Sequence, residues 1–545
     1  MSYKTKHSPD DNPPVNAWSI LDRAGQSEFP SDDPTKPEIW GYTDSISYLP
    51  TETVKLHVHT SAKTFNVLIY RDGVKKIDVY EETGVLGSHQ NTPKNAFEVG
   101  CDWEETLSID IPKNWQTGFY VIDLSIEGTD GNRIHREAFF VLRSAHRGGV
   151  NKLALVLSTA SYTAYNDWGG ANHYRRSTNA EPQDVGSPIL SMRRPMARGF
   201  VRLPIGAPRY SEHAIKTPFE MTRYPWLEWA LAYEYSRHYP DTGWASYDGP
   251  FAKWAEAEGY NFDFLTQSDL HREPECLAGY NAIIIVGHDE YWSWEMRDAV
   301  DEFVKKGGNL ARFAGNYLWQ IRLDEIAGKQ TCYKMASEDP YFHGPDKHLT
   351  TTYWDSKIVG RLSTETMGLT GLAGVYARFG NCSPRSSGGF TVYRPEHWAF
   401  QGTGLYYGDQ LGGAPAAVVS FEVDGVDYTF RDGLPYPTHK DGAPESLEII
   451  AMSPTGGMFE KDEEGQILNA PKIELDGLFE SAPAMYPLSE ADLTRGSSMI
   501  GVCKNGSGEV FNAGCCEWVS GLIKKDFFVE QVTRNVLNRY LSKRK

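Results

Sequence analysis

The chain has 545 residues, with 72 acidic and 54 basic side chains and a formal net charge of −18. So negative a surface repels phosphate backbones and anionic lipid, which argues against nucleic acid and membrane as partners. With 40% hydrophobic residues, a mean hydropathy of −0.47 and no apolar run near bilayer length, the composition is that of a soluble globular protein. The opening MSYKTKHSPDDNPP lacks the apolar core of a secretory leader. The seven cysteines, Cys101, Cys276, Cys332, Cys382, Cys503, Cys515 and Cys516, have no zinc-knuckle spacing and read as reduced thiols, so the expected location is cytoplasmic.

Residues 1–37 are rich in Pro, Asp and Ser and read as an extended arm, anchored by Trp18, Ile20, Leu21 and Phe29. From 38 to 147 short alternating runs take over: TVKLHVHT (53–60), FNVLIYRDG (65–73), ETLSIDIP (105–112), GFYVIDLSIEG (118–128) and REAFFVLRS (136–144). Their spacing and the turn residues between them predict an immunoglobulin-like β-sandwich. From 148 onward apolar strands alternate with helical patterns. The strands are 152–158, 281–287 and 309–316, with NFDFLTQSDL (261–270) a fourth; the helices are 225–238, 251–260 and 293–308, the last with Ser293 as N-cap. This alternation predicts a parallel sheet covered on both faces. Residues 345–413 read as an insertion. Strands then follow at 415–425, 447–453, 497–503 and 508–514, before a final helix over 526–542.

Ligands of open parallel sheets collect beyond the strands' carboxyl ends. The segments found there are SYTAYNDWGGANHY, GHDEYW, GNYLW and EVDG. They offer Tyr162, Tyr165, Tyr174, Asn166, His288, Asp289, Glu290, Asn316, Glu422 and Asp424. The Asp289–Glu290 pair also reads as a cap that complements the dipole of the next helix, Asp289 more than Glu290, and each tyrosine reads first as packing. Two phenolates and a carboxylate carry three negative charges and match a hard trivalent ion, but spacing alone selects neither the tyrosines nor a metal. Three other classes fare worse. The G-x-S-x-G elbow of an α/β hydrolase is absent. Position 288, where an amidotransferase nucleophile would sit, is His, and Cys515 and Cys516 read as inert buried thiols. The first βα turn has no G-x-G-x-x-G.

The strings SYTAYNDWGGANHY, SPILSMRRP, GHDEYWSWEMRDAVDEFVKKGGNLARFAGNYLWQIRL, VSFEVDG and VFNAGCCEWVSGL resemble the large-subunit family of N,N-dimethylformamidase, and WGYTDSISYLPTETVKLHV resembles its sandwich. The resemblance implies a sandwich followed by a domain similar to class I glutamine amidotransferases. It implies hydrolysis of a small amide at a mononuclear Fe³⁺ held by two tyrosinates and a glutamate. Position by position, Glu290 matches the glutamate ligand, Tyr165 the first tyrosine and Tyr174 the second, with Tyr210 as the alternative. His288 matches an active-site histidine, Asn316 a substrate-positioning amide donating to the carbonyl, and Glu422 a general base. The family's further N-terminal β-domain finds no room in this chain. The resemblance also brings a separate small subunit, and a homo-oligomer is expected. Two rival readings remain: a zinc hydrolase using His288 and Glu290, and a non-catalytic small-molecule- or carbohydrate-binding protein built from the same domains.

Overall fold

The computed structural model describes residues 28–129, 131–174, 186–212, 225–374, 387–459 and 477–542, with the backbone alone at 176–177, 182–183 and 375–376. Most of the predicted arm, including Trp18, Ile20 and Leu21, lies outside the described residues; Phe29 stacks on Trp168. The chain is multidomain, with a β-rich N-terminal part and a mixed α/β part built on a parallel-rich sheet.

The N-terminal part has eight strands: β1 (Ile39–Thr43), β2 (Ser47–Tyr48), β3 (Thr53–Thr60), β4 (Thr64–Asp72), β5 (Lys76–Leu86), β6 (Glu105–Asp110), β7 (Gly118–Glu127) and β8 (Arg133–Leu142). They form one sheet in the order β1-β3-β6 and another in the order β2-β8-β7-β4-β5. Val54, Leu56 and Val58 of the first sheet share a core with Val67, Ile69, Ile122 and Leu124 of the second, the alternation that period-2 side chains impose. Strand β5 was not expected, because its KIDVYEETGVL is largely exposed, with only Val79, Tyr80 and Val85 packed against the core and no regular alternation. The opposite face of β7 and β8 is also apolar. There Phe119 stacks on Trp244 with centroids 4.1 Å apart, joining the sandwich to the α/β part.

The α/β part opens with β9 (Leu153–Leu157) and α1 (Thr159–Tyr165), followed by α2 (Pro225–Tyr233), α3 (Gly249–Ala257), β10 (Phe262–Thr266) and α4 (Gln267–Arg272). Next come β11 (Ala282–His288), α5 (Trp294–Lys305), β12 (Asn309–Gly315), β13 (Val375–Tyr376) and β14 (Glu422–Gly425). The chain closes with β15 (Glu448–Gly456), β16 (Arg495–Asn505), β17 (Gly508–Asn512) and α6 (Phe527–Ser542). The main sheet runs β10-β9-β11-β12-β17-β16-β15-β13-β14. Its first five strands are parallel and the rest antiparallel, so the expected wholly parallel sheet is in fact mixed. Both faces of the parallel half are covered. Ile284 and Val286 pack with Phe251 and Val532 on one side, while Ile283 and Ile285 pack with Met296 and Val300 of α5 on the other.

Four segments depart from the sequence reading. NFDFLTQSDL is strand only to Thr266, where the Thr266–Asp269 capping box starts α4. The helix from 225 stops at Tyr233, because Glu234 turns left-handed at φ 58°. Residues 416–421 are buried but not strand: Ala417 and Phe421 have φ of 48° and 64°, so the strand begins at Glu422. An apolar run reports burial without specifying backbone geometry. Within 345–413, Val375–Tyr376 and Phe390–Val392 pair with β15 and so join the central sheet.

Asp248, which precedes α3, is buried and accepts a hydrogen bond from the Tyr162 hydroxyl, and among the described residues its Oδ1 has no hydrogen-bond partner. Burial raises its pKa to about 8. The folded state therefore holds this proton more tightly than the unfolded chain, where an Asp titrates near ~3.9. The resulting stability is fully present below about pH 4 and is lost as the pH rises through 8. Asp248→Asn should flatten the unfolding free energy across that window, as read by urea denaturation at several pH values; an unchanged pH profile would contradict it.

Candidate functional site

Tyr165 is the last residue of α1, directly beyond the carboxyl end of β9. Asn172 ties it to Tyr174: its Nδ2 donates to the Tyr165 carbonyl (3.1 Å) and its Oδ1 accepts from the Tyr174 N–H (2.8 Å). The two phenol rings lie 4.7 Å apart and their hydroxyl oxygens 2.9 Å apart. Both hydroxyls donate to Glu290, Tyr165 at 2.9 Å and Tyr174 at 2.7 Å to the same Oε2. Tyr291 completes the cluster by donating to the Tyr174 hydroxyl at 2.7 Å. Tyr210 makes other contacts: its hydroxyl donates to Asp241 and its ring stacks on Phe421 at 4.1 Å. Of the two candidates for a second tyrosine, Tyr174 is the one on Glu290.

His288 ends β11, the strand beside β9. The preceding Gly287 has φ 77°, and a Cβ there would lie 2.4 Å from the Tyr247 side chain, so only glycine serves at this turn. His288 Nδ1 donates to the Asp241 carbonyl (2.9 Å), which leaves Nε2 facing Glu422 Oε2 at 2.6 Å and Glu290 Oε2 at 3.4 Å. Asn316 Nδ2 also donates to Glu422 Oε2, at 2.7 Å. Its backbone is left-handed at φ 59°, a conformation that asparagine tolerates better than most residues. One N–H of this amide thus serves the Glu422 carboxylate, because an anionic acceptor next to an amide N–H is a strong partner. Gly315 allows this approach: a Cβ there would lie 2.6 Å from the Glu422 carbonyl.

Burial, reinforced by Glu290 and Glu422, holds the Tyr165 phenol well above its ordinary pKa; burial and Glu290 do the same to Tyr174. Burial raises Glu290 to about 7, with His288 opposing. For His288, burial disfavours the charge, but Glu422 and then Glu290 outweigh it and raise the pKa to about 9. Two residues were missed from sequence. Lys334 is buried, with Nζ 3.2 Å from the Tyr174 ring centroid, and its CYK context carries no motif. Cys516, read as inert, lies beside the cluster: His288, Glu422 and Cys516 offer donor atoms all within 4.8 Å of one another, a set able to hold a metal ion. Burial keeps that thiol well above its ordinary pKa.

The other candidates are structural. Tyr162 bonds Asp248, and Asn166 Oδ1 accepts from the Ala197 N–H at 3.0 Å. Asp289 does not cap α5; it pairs with Arg312 at 2.9 Å, and Arg312 also pairs with Asp424. All three are wholly buried. The pairing fastens HDEY to EVDG across β12.

Residues 67–530 match the family described as N,N-dimethylformamidase beta subunit-like, C-terminal. The chain belongs to that family. An N,N-dimethylformamidase beta subunit from Alcaligenes sp is 23% identical over 283 residues, 51% of this chain and 33% of that protein. One from Paracoccus aminophilus is 24% identical over 265 residues, 47% of this chain and 31% of that protein. The matched region thus spans about a third of the length of these curated relatives. A solved structure of murine CRIg is similar at 13% identity, covering 20% of this chain and 99% of its own, with a TM-score of 0.15, too low to carry any argument. Among the described residues no helix is long and apolar enough to cross a membrane.

Removing one partner of a buried charge network strands the others, at about 3–5 kcal/mol. Arg312→Met should therefore lower the unfolding free energy by about that amount in urea denaturation. A loss under 1 kcal/mol would show that the Arg312 clamp is dispensable.

Proposed function

We propose that this protein is a metal-dependent amidohydrolase that cleaves a small N-substituted amide, such as N,N-dimethylformamide, to a carboxylate and an amine. The observation that carries the reading is the meeting of Tyr165, Tyr174 and Glu290 oxygens within hydrogen-bond distance, from segments distant in sequence. The set fits a ferric ion. All three donors are hard oxygens, and as anions they match its charge. Two phenols and a carboxyl packed together in a buried space stay protonated unless a cation compensates them.

When bound, the ferric ion would supply Lewis acidity toward the amide carbonyl. Glu422 takes a proton from the attacking water and returns it to the departing nitrogen. His288, fixed by the Asp241 carbonyl, holds Glu422 in place and offsets its charge. Asn316 orients the same carboxylate from the other side.

The strand orders support the finer architectural reading. The first strand region splits between two sheets sharing one core, which suits an immunoglobulin-like sandwich for residues 38–147. The order β10-β9-β11-β12-β17 suits an amidotransferase-like domain over 148–545, with the candidate site at the β9/β11 switch point. The family's beta subunit description supports a separate small subunit and assembly into an oligomer.

A zinc-dependent hydrolase is the second reading, favoured by the adjoining His288, Glu422 and Cys516, whose softer donors suit zinc. Elemental analysis of the purified protein separates the two metals. Glu290→Ala should lose iron and turnover together. Glu422→Gln should keep iron while turnover, read as amine release, falls about 10²–10⁴-fold. Iron retained in the first variant, or full activity in the second, overturns these roles.

A further inference from the structure

A cleft of about 660 Å³ opens between α5 and residues 274–279. It lies away from the candidate site. Residues 274–279 precede β11, whereas His288 ends that strand, and its seven residues span about 20 Å. The volume falls within the usual range of small-molecule pockets, roughly 300–1,000 Å³. Leu277, Ala299 and Phe303 supply the apolar wall. A Cβ on Gly308 would lie 2.4 Å from the Phe303 ring, so the backbone packs closely against that ring and holds it.

The charges around the cleft do not cancel. Asp301, which lines it, is 9% exposed, and its Oδ2 accepts from Arg361 at 2.7 Å. Among the described residues its Oδ1 is buried without a hydrogen-bond partner. Arg361 Nη1 lies 2.8 Å from Asp298 Oδ1. Lys306 pairs with Glu302 at 2.7 Å, and Lys305 stabilises the same carboxylate. Every cation of the lining is thus committed, while the exposed Glu275 has no ion pair among the described residues. The missing group is a hydrogen-bond donor, and a positively charged donor suits a carboxylate best. A metal ion does not meet the need: among the described residues no three carboxylates of the cleft bring oxygens within 4.8 Å of one another. An organic ammonium ion does, because its N–H groups and charge serve Asp301 and Glu275 while its hydrocarbon part covers the apolar wall.

We propose that this cleft is a binding site for a small alkylammonium ion, held by an N–H to Asp301 Oδ1 and by alkyl contact with Leu277, Ala299 and Phe303. The inference stands apart from the amidohydrolase reading, since no residue of the candidate site takes part in it.

The full chain is titrated calorimetrically with n-butylammonium, butan-1-ol and butyrate at one ionic strength. The ammonium ion should bind, the alcohol about tenfold more weakly, and butyrate not measurably. Asp301→Asn should weaken n-butylammonium about tenfold, and Glu275→Gln, a change at an exposed position, about twofold. Ala278→Phe, on the exposed rim, fills the cleft and should abolish binding. If Asp301→Asn does not fold, the two exposed variants decide. No binding by wild type, equal binding of the alcohol or of butyrate, or binding unmoved by Ala278→Phe would overturn the proposal. The competing location is the candidate site, which has carboxylates of its own. Binding lost in Glu290→Ala and kept in Ala278→Phe would place the ammonium ion there, overturning the cleft site and leaving the hydrolase reading intact.

Discussion

Everything at the site depends on the Arg312 guanidinium lying wholly buried between two carboxylates. Arg312 projects from the middle of β12, Asp289 reaches it from the turn after β11 and Asp424 from β14. None of the three can face water, so each charge is tolerable only through the others. The consequence is positional. Asp289 immediately precedes Glu290, and Asp424 lies two residues beyond Glu422, so satisfying one buried cation brings two further carboxylates to the same strand ends. The Tyr317 N–H adds a 3.0 Å bond to Asp424, which fastens the Asn316 turn to the same point.

That arrangement concentrates acidic groups where solvent cannot screen them. Glu290, Glu422 and the Tyr165 and Tyr174 phenols crowd into one buried space, with His288 and Lys334 as the nearby cations. The phenols are driven toward their neutral form and Glu290 toward neutrality near pH 7. The proposed hydrolysis needs this stored demand for positive charge, because a cation that satisfies it also polarises a carbonyl. His288 links the phenol–carboxylate cluster to Glu422, so the proposed metal-binding and proton-transfer groups share one histidine.

Legibility in the sequence followed local regularity. Strands β9, β11 and β12 and helix α5 were readable because apolar runs or 3.6-residue spacing, with Ser293 as cap, leave few alternatives. Residues 416–421 misled because burial without periodicity fits a strand as well as an irregular segment. Strand β5 was invisible because an exposed edge needs no pattern. Among site residues, those at strand ends were found by position: His288, Glu290 and Asn316. Lys334 and Cys516 come from loops or turns with no local signature, and only their three-dimensional neighbours give them meaning.

The sequence by itself determined that an α/β sheet follows a β-rich region and which polar segments stand at its strand ends, since side-chain periodicity encodes burial. It also carried the family likeness through its HDEYW and AGN strings. The tertiary structure alone decided that Tyr174 rather than Tyr210 meets Glu290, that Asn316 serves Glu422, and that Asp289 belongs to a buried ion pair. Those are outcomes of distance and charge between segments 23 to 116 residues apart, and the pattern within one segment does not record which partner it meets.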